Sequence, residues 1–171
     1  MKSIVCIAAF SLLSFHAFAV DHDHREHGAH SHGAADLGIA FEGASGKIEF
    51  KTPADGIVGF EHKAVKSADK KKFEAALKNF ESKFSEMISF DASLKCVFTK
   101  EKLEAAYDSD SHSDIVGQFK VVCAKSPAGS TITFQFQKFY PKLKDVDAQI
   151  IADNLQKSVE IKTKGQKLEL K

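Results

Sequence analysis

The chain has 171 residues, of which 43% are hydrophobic, 10% aromatic and 27% charged. That balance suits one ordinary folded domain and argues against a disordered tail or a multi-domain machine. Lys and Arg number 24 against 23 Asp and Glu, a formal charge of +1, so nothing general favours nucleic acid or an acidic membrane surface as a partner.

Residues 1–19 read as a secretory signal peptide. Met1-Lys2-Ser3 is a short basic start, the run from Ile4 to Phe18 is apolar, and Ala17-Phe18-Ala19 is a small-x-small cleavage site. Cys6 lies too far upstream of that site to become a lipidated first residue. Cleavage after Ala19 removes Lys2 as its one charged residue and brings the formal charge to zero. No later segment approaches the roughly 18 to 20 apolar residues of a spanning helix, so membrane insertion is not expected.

Residues 20–33 form a histidine-rich leader. His22, His24, His27, His30 and His32, five of the eight histidines, fall within eleven consecutive positions, interleaved with Asp21, Asp23 and Glu26. Imidazole with carboxylate suits zinc first, with copper and nickel as competitors. In an extended backbone, residues two apart point to one side, so His30 and His32 can present nitrogens to one ion, as can His22 and His24 to another. Gly28 and Gly33 let the backbone turn around a small ion.

Beyond the leader, residues 34–171 are expected to form a single α+β domain. Leu37, Ile39 and Phe41 alternate with smaller or polar residues, Ala44-Ser45-Gly46 marks a turn, and Ile48 and Phe50 resume the alternation as the second arm of a hairpin. Pro53, Gly56 and Gly59 predict a turn or distorted strand leading to Glu61 and His62. From Ser67, read as an N-cap, to about Ile88, the residues Phe73, Leu77, Phe80, Phe84 and Met87 recur at intervals of four and three, the mark of an amphipathic helix.

Segments 94–106 and 114–124 read as the arms of a second hairpin. The midpoint of Cys96 and Cys123 falls in its polar turn Asp108-Ser109-Asp110-Ser111, so the two cysteines are expected to face each other at about 4.5 to 5.5 Å between Cα atoms. In an exported protein such a pair is usually a disulfide; thiolate ligation of zinc, the alternative, would need reduced cysteines. Ile115, Gly117, Phe119, Val121 and Cys123 share one face of the second arm. Thr131 to Phe136 reads as a strand, Phe139-Tyr140-Pro141 as a corner, 146–151 and 158–162 as a strand pair, and Leu168 as part of a last short strand. The expected fold class is α+β, an antiparallel β-sheet with one long amphipathic helix packed on a face.

His62 and His112 are candidates to complete a metal site with the leader. A set of His30, His32, His62 and His112 would be closed and not hydrolytic, since catalytic zinc keeps one position for water. Were three to converge, the fourth place would go to water, Glu61 or a recipient protein. An ordinary surface role for His62 and His112, and a merely solvated leader, are the competing readings. Enzymatic signatures are missing: there is no His-Glu-x-x-His helix, Gly-x-Ser-x-Gly elbow, phosphate-cradling glycine loop or free exported cysteine. His30-x-His32 with Asp36 lacks the second acid–histidine step of a metallo-hydrolase. The chain is not expected to be an enzyme.

The run HREHGAHSHGAADLGIAFEG, then GIVGFEH, HSDIVGQFKVVCA and FQKFYPKLKDVDAQII, resembles the periplasmic zinc-uptake accessory proteins of Gram-negative bacteria. The resemblance implies an exported zinc-binding protein working in the periplasm beside a zinc ABC transporter and its periplasmic solute-binding protein. His27, His30, His32, His62 and His112 match histidines that recur in the family's motifs. Many such proteins carry a long His/Asp/Glu-rich insertion before the strand at His112, where this chain keeps only DSDSHSD. The expected function is therefore capture of zinc through the N-terminal cluster, with affinity falling as imidazoles protonate near pH 6.5. Sequestration of copper or nickel, and a structural envelope module with incidental histidines, are the alternatives.

Overall fold

The computed structural model describes residues 33–171. The proposed signal peptide, and the leader up to His32, lie outside the described residues. Nine strands and one long helix follow: β1 (Ala34–Glu42), β2 (Ser45–Pro53), α1 (Ser67–Met87), β3 (Ile88–Phe90), β4 (Val97–Tyr107), β5 (Ser113–Val122), β6 (Thr131–Phe134), a helical turn α2 (Phe136–Phe139), β7 (Asp145–Ala152), β8 (Leu155–Ile161) and β9 (Gln166–Glu169). No helix among them is long and apolar enough to cross a membrane.

The expected fold class is corrected by this arrangement. The described residues are mostly β, with 47% in strands against 22% helical, and their strands form two sheets. The larger has six strands in the order β4-β5-β2-β1-β7-β8, and the smaller has three in the order β3-β6-β9. Nor is the larger sheet wholly antiparallel, because β1 pairs with β7 in parallel from Ala34↔Asp145 to Phe41↔Ala152. The result is a β-rich sandwich. Its second layer is built jointly by the small sheet, α1 and α2, with α1 running directly into β3 at Ile88.

Phenylalanine fills the space between the layers. Stacked layers stand about 10 Å apart, and a ring reaches further into that gap than an aliphatic side chain does. Phe50 of β2 meets Phe80 of α1 at 5.1 Å and Phe136 of α2 at 5.7 Å between ring centroids, while Phe41 of β1 meets Phe90 of β3 edge-on at 5.4 Å. Period-two burial follows along β1, where Leu37, Ile39 and Phe41 are buried and Asp36, Ala40 and Glu42 are exposed. On α1 the predicted stripe is the inner face, with Phe80, Phe84 and Met87 fully buried and Phe73 and Leu77 partly so. Ser67 is the first helical residue rather than the cap. That place falls to Lys66, which is extended and makes no side-chain capping bond.

The second hairpin contains a shift that alternation alone does not reveal. Val97 pairs with Val122 and Lys100 with Phe119, but Lys102 pairs with Gln118, so one extra residue is inserted at Glu101. A bulge exchanges the faces of a strand. Phe98 therefore packs against the core from an even position, and Leu103 and Ala105 from odd ones. Cys96 and Cys123, on the unshifted side, form a disulfide with Cα atoms 3.9 Å apart, closer than the expected range. The segment 139–141, read as a corner, instead begins with the last residue of α2.

Candidate metal centre

One end of the large sheet carries the two described histidine candidates, His62 and His112. After β2, a tight turn at Ala54–Gly56 sends the chain into an irregular segment ahead of α1, and this segment passes the β4–β5 turn. Two bonds weld them together: the Lys63 amide donates to the Asp110 carbonyl at 3.1 Å, and the buried Ser113 hydroxyl donates to the Glu61 carbonyl at 2.6 Å. His112 is held in the turn by its own amide, which donates to Ser109 Oγ at 3.1 Å.

Each of the two described histidines faces a carboxylate. His112 Nδ1 lies 2.6 Å from Glu61 Oε2, with the Glu61 side chain 10% exposed and that of His112 49%. His62 Nε2 lies 3.4 Å from Asp69 Oδ2 on the first turn of α1, a longer contact between more exposed groups. The His62 ring also stacks on Phe60 at 4.4 Å between centroids, and the Lys72 ammonium sits over the other ring of that stack at 5.3 Å from the Phe60 centroid. These contacts restrict how both imidazoles can turn.

The leader enters at this same end. Gly33 adopts φ +87° and its carbonyl accepts from the Lys144 and Asp145 amides. The next carbonyl, that of Ala34, accepts from the buried Thr52 hydroxyl at 2.8 Å. Thr52 and Pro53 pair with Ile115 and Asp114 of β5. The start of β1 is thus two strands from the start of β5, about 10 Å at ordinary strand spacing, and His32 and His112 precede those strand starts.

His22, His24, His27, His30 and His32 fall outside the described residues. Among the described residues, no three His, Cys, Asp or Glu side chains are grouped so as to hold a metal ion. His62 and His112 are brought to neighbouring, mutually bonded segments. Cys96 and Cys123 are consumed by their disulfide.

Two residues were not singled out in the sequence. Asp69 looks there like any acid in a first helical turn, where it complements the helix dipole, so no signal marked it. Ser113 did carry one, since the alternation through Ile115 and Gly117 extends back to it and a buried hydroxyl needs a partner.

Across residues 29–170 the chain matches a family of zinc uptake proteins. Uptake of zinc, rather than catalysis, is what that class does. The family model is that of the ZrgA family zinc uptake protein, and the chain belongs to this family. No curated protein matches the chain in sequence.

Proposed function

We propose that the protein is a periplasmic zinc-binding protein that captures Zn²⁺ through the leader histidines His22, His24, His27, His30 and His32 together with His62 and His112. In this reading residues 1–19 direct export, 20–33 supply one share of the ligands, and 34–171 form one domain that supplies the other. The zinc is cargo. It passes to an uptake system, in keeping with the zinc uptake family, through the solute-binding protein of a zinc ABC transporter.

The observation that carries this reading is the carboxylate-backed His112 at the sheet end where the leader joins the fold. A histidine whose one ring nitrogen is held by a carboxylate offers the other as an oriented donor. Two described histidines are too few for a tetrahedral site, and the leader begins within reach to add more.

Zinc calorimetry on residues 20–171, free of any purification tag, tests it. The full sequence should give a tight isotherm, and His30→Ala with His32→Ala should weaken it at least 10-fold, as should His62→Ala with His112→Ala. Absence of binding in the unaltered chain would leave a structural envelope role. Unchanged binding in both double variants would move the site to the outer leader.

A further inference from the structure

Glu61 is a possible fourth ligand from its position in the sequence, and the structure gives it a different part. Its carboxylate oxygen is 2.6 Å from His112 Nδ1, its side chain is nine-tenths buried, and its own carbonyl is held by the buried Ser113 hydroxyl. The amide bond from Lys63 to the Asp110 carbonyl fixes the same segment from the other side. Moving Oε2 out to a metal would break its bond to His112.

An ionised carboxylate only accepts hydrogen bonds, so in a neutral His112 the proton must sit on Nδ1. The lone pair is then on Nε2, because the hydrogen bond decides which nitrogen keeps it. We infer that Glu61 is a positioning residue that fixes His112 in the Nδ1–H form and so makes Nε2 the metal-facing donor. Asp69 is not assigned the same part, because its contact with His62 is 3.4 Å and more exposed. The metal share of this inference rests on the zinc reading above, whereas the tautomer does not.

The test has a metal-free arm and a zinc arm. Nitrogen-15 spectra of the His112 ring, recorded without metal at pH 8, should show the proton on Nδ1. Glu61→Ala should shift the population towards Nε2–H, and Glu61→Gln, which keeps an acceptor oxygen, should retain Nδ1–H. Zinc affinity should fall roughly 10- to 100-fold in Glu61→Ala and be largely rescued in Glu61→Gln. Ser113→Ala, which loosens Glu61 without removing it, should give an intermediate loss and covers the case in which Glu61→Ala does not fold. An Nε2–H ring in the unaltered protein would overturn the inference. So would loss of zinc in Glu61→Gln as complete as in His112→Ala, which would make Glu61 a ligand. Should the unaltered chain bind no zinc, the zinc reading fails by itself, and the metal-free spectra still decide the tautomer.

Discussion

Phe84 of α1 lies flat on Phe119 of β5, with ring centroids 3.6 Å apart and planes within 9° of each other. Both rings are at most 2% exposed, so this pair closes the core between the helix and the large sheet. Phe84→Ala leaves a ring-sized cavity there and should cost about 3–5 kcal/mol, read as a lowered urea midpoint. Phe73→Ala, on the half-buried first part of the helix, should cost less. Equal losses would mean that the two ends of α1 are packed alike.

The disulfide closes a separation of 27 residues, for which the chain-entropy account gives about 3.5 kcal/mol. Replacing Cys96 and Cys123 together by serine should lower stability by up to that amount. The zinc binding proposed above should be unaffected, because the bridge is at the opposite end of the β4–β5 hairpin from His112, roughly 30 Å away for an eleven-residue strand. A parallel loss of zinc binding, measured by calorimetry below the unfolding transition, would contradict this separation.

Gly33 joins the leader to the fold in a left-handed conformation, and a Cβ there would stand 2.6 Å from the Lys142 carbonyl oxygen. Gly33→Ala should therefore destabilise by more than about 1 kcal/mol and disturb the anchoring of the leader. Gly43 has φ +57° but open space around it, so Gly43→Ala is the milder control. Equal unfolding midpoints for the two variants would show that the close approach at Gly33 is relieved at no cost.

Burial pushes the ionisation of Tyr140 above the usual tyrosine range, while the hydrogen bond from Asn79 Nδ2 to its hydroxyl at 3.2 Å pulls the other way. The folded chain then keeps a proton that the unfolded chain gives up near pH 10. Stability carried by this group is complete below about pH 10 and is lost as the pH rises through the folded value. The chain has two tyrosines, so Tyr107→Phe leaves Tyr140 alone in an ultraviolet titration. Ionisation at or below pH 10 in that variant would contradict the burial argument. Asn79→Ala should move it further up.

Local patterns made much of the fold legible. The stripe from Phe73 to Met87 marked α1 to within a residue, because i, i+3 and i+4 positions share one helix face regardless of what covers it. The alternations at 37–41 and 48–50 likewise marked β1 and β2, and the cysteine pair at 96 and 123 marked its own bridge. The same logic misplaced the cap at Ser67, since the residue that leaves helical geometry, Lys66, is chosen by the path of the preceding segment rather than by its side chain.

Partner choice was not legible. The alternation at 146–151 says that β7 has a buried face, but it is blind to β7 pairing in parallel with β1 on one side and antiparallel with β8 on the other. Those hydrogen bonds run between backbones, which all residues share. The extra residue at Glu101, which turns Leu103 and Ala105 inward, is equally hidden, as is the division of the strands into two sheets.

By itself, then, the sequence determined the chemistry available to this protein: imidazoles crowded ahead of the first strand, two further histidines, and a cysteine pair, all set by residue type and spacing along the chain. Only the tertiary structure decided where that chemistry meets. Glu61 and His112 are 51 positions apart, and no periodicity reaches across such a distance. Their contact exists because β2 and β5 pair side by side, and because Ser113 and Asp110 hold the segment that carries Glu61 against the turn that carries His112.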